Sequence, residues 1–398
     1  MRTRRIGVRR GLWRPVLLLV ALAVASPAVA QSGTAKSGTV ERVTVHGASL
    51  VGNLEGDTPD RDVFIYLPPG YAANRNQRYP VVYLLHGYSL TAERWMSFAG
   101  IAAAADRNIA AGTMREMILV NPDAYTVHGG SMYSASPTVG DWETFIAEDL
   151  VSYVDKNYRT IASRMSRGLA GHSMGGYGTL RIGMKRADVF SAMYPMSSCC
   201  LIDQAIAGAG RGRGAAPAGR AGAPAPPTGA GTPAGTQAGR AAGTPAGTQA
   251  GTPAAGRGAG ARGRGAGARG RGGFGNVQLA TAAAWAPNPK NPPTYADLPV
   301  VDGEPQPLVI AKFAANSPYA MLPQYLTNLK KYTGIMLDVG DQDGLAGSNR
   351  QLVQSLTDFG VPHTFEVYEG DHTNRVPQRI ESAVLPFFSK TLSFTAPR

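Results

Sequence analysis

The chain has only two cysteines in 398 residues, Cys199 and Cys200, and they are adjacent. Neighbouring cysteines rarely bridge, and two thiols at this spacing provide neither a disulfide framework nor a zinc-ligand pattern. They are expected to be small residues at the end of a buried strand. Acidic residues are also scarce, at 27 against 39 Lys plus Arg, giving a formal charge of +12. That excess is confined to two places. Residues 1–30 hold six Arg and no acid, and residues 204–273 hold nine Arg and no acid. Set aside those fifteen charges and the remaining residues carry a net −3. The part of the chain able to fold therefore has no electrostatic footprint for DNA or RNA. Nor is there an apolar run long enough to span a bilayer. The longest, Val16 to Ala25, has ten residues. It follows a basic stretch, is broken by Pro27, and leads to Ala28-Val29-Ala30. This order of basic, apolar and small residues predicts that 1–30 is a secretory signal, so that the processed protein works outside the cytoplasm without a stable membrane span.

What is abundant is glycine and proline, at 50 and 29. Much of it lies in 208–273, built almost wholly from Gly, Ala, Arg, Pro, Thr and Gln. GTPAGTQAG occurs at 231–239 and 243–251, and RGAGARG at 257–263 and 264–270. Such a composition buries too little apolar surface to offset chain ordering, so a disordered insert is expected. Long loops add little closure entropy, and a fold tolerates one. The remaining segments, 31–207 and 274–398, are the size of one α/β domain.

The pattern of those segments supports that class. Arg42–Leu50, Asp62–Leu67, Val81–Leu85, Met117–Val120, Gly168–Ala170, Ala192–Met196, Ile335–Val339 and His363–Tyr368 read as strands. Trp142–Asn157, Gly175–Arg186 and Asn349–Phe359 have helical spacing. Continuous apolar strands alternating with helices predict a mostly parallel central sheet with helices on both faces.

Between one such strand and helix stands Gly171-His172-Ser173-Met174-Gly175. G-x-S-x-G in a strand–turn–helix context holds a serine hydroxyl at the top of a sheet, and glycines permit the sharp turn. A serine needs a base, and in this arrangement the chain order is Ser, then Asp or Glu, then His. Only His363 and His372 follow Ser173. His363 opens a strand, whereas His372 lies in the loop beyond it, where such sheets place chemistry. His372 is therefore the expected base. The orienting carboxylate should end the strand at Ile335–Val339, which leaves Asp341 and Asp343 as candidates. His86-Gly87-Tyr88 follows a buried strand and would give one backbone N–H to an oxyanion hole, with Met174 supplying the other. Trp95, Tyr133 and Trp142 are candidate pocket aromatics. No metal or other cofactor is called for.

These segments resemble the Esterase family of α/β-hydrolases, a group that includes S-formylglutathione hydrolases, feruloyl and acetyl-xylan esterases, enterochelin-esterase-like proteins and mycolyltransferases. RYPVVYLLHGYS is similar to its oxyanion strand and loop, GDWETFIAEDLVSYVDKNYRT to the helix before the nucleophile, GLAGHSMGGYGTLRIGMKRADVFSAMYPMS to its elbow, and EGDHTNRV to its His loop. VGDQDGL is similar to its acid loop, and the resemblance selects Asp343. Members often carry Trp soon after the His, where this chain has Thr373-Asn374-Arg375. The resemblance implies an α/β-hydrolase fold and cofactor-free hydrolysis of an ester or thioester, on a small-molecule, carbohydrate or siderophore substrate, with Asp123 and the 124–140 loop bordering the site. The alternatives are acyl transfer by the same triad, an inactive hydrolase fold used for binding, and, more weakly, a serine peptidase.

Overall fold

The computed structural model describes residues 37–201 and 275–396. The expected secretory segment and the insert at 208–273 lie outside the described residues. Eight strands form one sheet: β1 Thr39–His46, β2 Asp60–Leu67, β3 Val81–Leu85, β4 Ile118–Pro122, β5 Arg167–His172, β6 Ala192–Met196, β7 Gly334–Gly340 and β8 Thr364–Tyr368. Their spatial order is β1-β2-β4-β3-β5-β6-β7-β8. β1 and β2 pair antiparallel, as do β2 and β4, and every later pairing is parallel.

Side-chain alternation in β3 explains how the sheet is covered. Val81, Tyr83 and Leu85 face one apolar cluster with Phe145, Leu150, Val154 and Tyr177. Val82 and Leu84 face another with Trp95, Ile101, Leu385 and Phe388. Both faces are dry, so all five residues of β3 are apolar and fully buried, as a central parallel strand requires. The helices that cover them include α1 Ala92–Phe98, α2 Ile101–Ala110, α3 Leu150–Asn157, α4 Met174–Lys185 and, near the C-terminus, Leu385–Thr391. α3 continues a helical stretch that begins at Trp142 and passes through one wider turn at Phe145–Asp149.

The expected strands and helices are present, with small shifts. β1 ends at His46, opposite Asp60, and Ala48–Leu50 is a short turn instead of a strand end. The physical reason is packing. A Cβ on Gly47 would lie 2.6 Å from the Phe145 ring, so the chain leaves the sheet there at close quarters. The short helices α1 and α2 bury Ala92 and Trp95, and Ile101, Ala104 and Ala105, against the sheet. The helices Pro307–Ala315 and Pro318–Leu329 begin at prolines. No helix among the described residues is long and apolar enough to cross a membrane.

Candidate active site

The parallel strands β3, β5, β7 and β8 all deliver their following loops to the same edge of the sheet, the edge where open α/β sheets bind ligands. β5 ends at His172 and α4 begins at Met174, leaving Ser173 alone to make the turn. Its backbone takes φ +58°, ψ −111°, an uncommon and strained conformation for a residue with a Cβ. The flanking glycines allow it. A Cβ on Gly171 would stand 2.4 Å from the Gly175 carbonyl oxygen, and one on Gly175 would stand 2.1 Å from that of Leu85. The Ser173 amide donates to the Met196 carbonyl at 3.0 Å, tying the turn to β6.

Ser173 Oγ lies 2.9 Å from His372 Nε2, and His372 Nδ1 lies 2.8 Å from Asp343 Oδ2. With Nδ1–H donated to the carboxylate, Nε2 is free to accept the serine proton. Burial alone would raise the Asp343 carboxyl, but hydrogen bonds from His372 and the Leu345 amide outweigh it and hold the group below its ordinary value. The structure also separates the two aspartates. Asp341 Oδ1 accepts from the Gly370 amide at 3.0 Å, so Asp341 braces the loop that carries His372 and does not meet the imidazole. His363 bonds through Nδ1 to the Val361 carbonyl at 2.8 Å, a structural contact. His172, adjacent to the serine, puts Nε2 2.7 Å from the His372 carbonyl oxygen.

Among the described residues, the amides of Tyr88 and Met174 donate to no protein acceptor. Met174 opens α4, whose N-terminus favours negative charge. The two residues are packed through one loop. Tyr88 Oη donates to the His128 carbonyl at 2.8 Å, and a Cβ on Gly130 would lie 2.4 Å from Met174 Sδ and 3.1 Å from the Tyr88 ring.

The sequence model of the Esterase family matches residues 58–376. The chain belongs to the Esterase family. Its matched stretches span less than half the length of the curated relatives described next. A 131-residue stretch, 32% of this chain, is 31% identical to an endo-1,4-beta-xylanase/feruloyl esterase of Xylanibacter ruminicola, 18% of which it covers. Esterase Rv1288 of Mycobacterium tuberculosis is 38% identical over 128 residues, 31% of this chain and 26% of that protein. An S-formylglutathione hydrolase of Paracoccus denitrificans is 30% identical over 131 residues, 30% of this chain and 45% of that protein. Among solved structures, a ferulic acid esterase aligns with TM-score 0.57 at 21% identity, over 89% of this chain and 99% of its own. An S-formylglutathione hydrolase of Staphylococcus aureus aligns with TM-score 0.53 at 16% identity, over 88% and 99%. These alignments show the α/β-hydrolase fold.

In this Esterase-family chain, Ser173 and His372 open into a cavity of about 690 Å³. Its apolar wall is not the one expected. Trp95, Tyr133 and Trp142 are at most 1% exposed and belong to the core. Trp95 stacks on His172, Tyr133 Oη donates to the His86 carbonyl, and Trp142 Nε1 donates to the Val139 carbonyl. The wall comes instead from Met132, Val277, Trp285, Phe313 and Leu345. Trp285 is held edge-on to Phe313 at 5.3 Å and leans on Tyr177 at 5.4 Å. Cys199 and Cys200 also line it, half-buried and beyond the strand end at Met196; Cys200 has φ +60°. They sit past the strand because the chain turns over Ser173, whose carbonyl accepts from the Cys199 amide at 3.2 Å. Asp123, expected at the border, does not line the cavity. It accepts from the Ala92 and Tyr125 amides and lies 3.5 Å from Arg61. Met132 of the adjoining loop does line it.

Beneath that loop, Glu55 has a side chain only 1% exposed, with Oε1 3.7 Å from His128 Nε2 and, among the described residues, no hydrogen-bond partner on either oxygen. Burial, then the Asp57 carboxyl beside it, pushes the Glu55 acid up to about 8, and burial lowers His128. Both groups are driven neutral, so the contact is not an ion pair. A carboxyl raised on folding binds its proton more tightly in the folded state. Its contribution to stability is full below about pH 4.5 and is lost as pH rises towards 8. Glu55→Gln, which cannot ionise, is therefore expected to leave the melting temperature little changed at pH 4.5. It should become the more stable protein by about 5 kcal/mol near pH 8.5. Thermal unfolding of both proteins at the two pH values checks this, and a gap that does not widen with pH would contradict it.

Proposed function

We propose that this chain is a secreted carboxylic ester hydrolase that works through an acyl-enzyme on Ser173. The observation that carries the reading is the unbroken line Ser173 Oγ–His372 Nε2, His372 Nδ1–Asp343 Oδ2, at 2.9 and 2.8 Å. Ser173 Oγ attacks the ester carbonyl while His372 Nε2 takes its proton. Negative charge develops on the carbonyl oxygen, and the unpaired Tyr88 and Met174 amides are the donors for it; one such donor is typically worth about 3 kcal/mol of barrier. As the tetrahedral species collapses, His372 returns the proton to the departing alcohol. Water, deprotonated by His372, then releases the acid and restores Ser173. Asp343 holds the imidazole orientation and balances its charge throughout. Secretion is supported by the basic–apolar–small order of residues 2–30.

For the substrate, the reading is an ester with an aromatic or medium-length apolar group, of the kind attached to carbohydrate. A cavity of about 690 Å³ walled by Trp285 and Phe313 has room for a phenylpropenoyl or octanoyl chain, and one relative is named a feruloyl esterase. The test is a series of p-nitrophenyl esters, acetate to octanoate plus ferulate, with wild type and Trp285→Leu. Wild type is expected to prefer the larger groups. The variant should lose about tenfold in kcat/KM on octanoate and ferulate, and less than threefold on acetate, because it removes apolar contact only from chains that reach it. Equal losses on every ester would contradict the assigned wall. No turnover of any ester would contradict the hydrolase reading.

A further inference from the structure

The triad does not use His172, yet its side chain both bonds to the His372 backbone and packs against the His372 ring. It is 3% exposed and lies between two rings. The Trp95 indole is stacked on it at 6.3 Å with an interplanar angle of 11°, and the His372 imidazole is tilted against it at 4.7 Å. Its Nε2 lies 2.7 Å from the backbone carbonyl oxygen of His372. A carbonyl only accepts, so Nε2 must carry the proton and donate, which fixes the tautomer. Among the described residues nothing else bonds to the His372 backbone.

The rest of the loop is tied on either side of that residue. The Gly370 amide donates to Asp341, and the Gln342 amide donates to the Gly370 carbonyl. Asp371 Oδ1 accepts from the Thr373 and Asn374 amides. At His372 itself, one dipeptide grips the residue from two ends: Ser173 Oγ meets the ring nitrogen and His172 meets the carbonyl. The peptide and the ring share one Cα, so a shift of the carbonyl carries the imidazole with it. Displacements of about 1 Å in a catalytic group cost on the order of a hundredfold in rate.

We propose that His172 is a positioning residue: its Nε2–H, donated to the His372 carbonyl, sets the distance between the base and Ser173. The proposal rests on the Ser173–His372 reading given above. Burial, and then the neighbouring His372, lowers the His172 imidazole to about 4. The ring therefore stays uncharged at neutral pH and does not oppose the positive charge His372 gains when it takes the serine proton. Trp95 supplies the flat, apolar floor that makes this burial possible.

Two substitutions separate the hydrogen bond from the packing. His172→Phe keeps a flat ring on Trp95 and loses the donor. His172→Gln loses the ring and keeps an N–H at about the reach of Nε2. Both are assayed beside wild type on p-nitrophenyl butyrate, with thermal unfolding to confirm folding. The expected result is a 30- to 100-fold fall in kcat for Phe with KM within threefold, and kcat within fivefold of wild type for Gln. A Phe variant as active as wild type, or a Gln variant no better than Phe, would overturn the proposal. Should Phe not fold, Gln decides alone: kcat within fivefold supports the positioning role, and a loss of a hundredfold overturns it. A wild type that neither turns over any ester nor reacts with a fluorophosphonate at Ser173 sinks the hydrolase reading and this proposal together. An active wild type with an indifferent His172 sinks only the latter.

Discussion

Ser173→Ala is expected to lower kcat on p-nitrophenyl esters by at least about 10⁴-fold while leaving KM and the melting temperature close to wild type. The Oγ is the only atom removed, and it touches His372 Nε2 and the open cavity, not the core. In serine hydrolases the nucleophile and base act as one unit. Removing either costs nearly as much as removing both, and binding and oxyanion donors leave a residue of catalysis. The fold should be indifferent. The elbow is fixed by backbone groups, including the Ser173 amide on Met196 and the Tyr177 amide on the Ser173 carbonyl, and these survive the substitution. A variant retaining a tenth of the activity would show that another group carries the chemistry.

The second large effect is on stability. Gly175→Ala places a Cβ 2.1 Å from the Leu85 carbonyl oxygen, 2.5 Å from its carbon and 2.9 Å from the His86 carbonyl oxygen. All three are backbone atoms of β3 and the loop after it, so no side chain can rotate away. Relief requires the start of α4 to lift from β3, which also moves Ser173 and the Tyr88 loop. Overpacking of this kind costs about 3 kcal/mol or more, equivalent to roughly 5 °C in melting temperature for a domain of this size. Activity should fall together with stability. Gly347→Ala is the matched control: it lies in the first turn of the helix Ala346–Asp358 with nothing within 4 Å of the added carbon. It should be neutral or mildly stabilising, since Ala favours helix over Gly. Thermal unfolding of the two variants, read side by side, decides it; equal melting temperatures would contradict the close-approach account of the elbow.

The candidate triad was more legible in the sequence than the pocket lining. Ser173 could be read because G-x-S-x-G encodes a local backbone event, and His372 because chain order left only two histidines after it. The strands were legible where both faces are dry, as in Val81–Leu85, because continuous apolarity then has one cause. Asp341 and Asp343 could not be separated by chemistry. They end the same strand two residues apart, and the turn that points one at Gly370 and the other at His372 is a tertiary matter. The pocket wall was not legible at all. Trp285 and Phe313 follow the Gly/Ala/Arg-rich segment and reach the site only through the way 275–315 packs back against Tyr177. Trp95, Tyr133 and Trp142 lie nearer the motifs in sequence and were taken up by the core. Their polar groups show the same placement: two are satisfied by backbone carbonyls, and Trp95 Nε1 has no partner among the described residues. The contact between His172 and His372 was hidden for a related reason. The motif leaves that position open, and only the return of the chain two hundred residues later brings the His372 carbonyl to it.

The central claim is that Ser173 is the nucleophile of an ester hydrolase. The most direct measurement is the mass of the protein after brief reaction with a fluorophosphonate, followed by peptide mapping, on wild type and Ser173→Ala in parallel. The account predicts one adduct per wild-type chain, on Ser173, matched by loss of ester hydrolysis, and none on the variant. An adduct on another residue, equal labelling of the variant, or a folded wild type that hydrolyses esters without being labelled at Ser173 would contradict it.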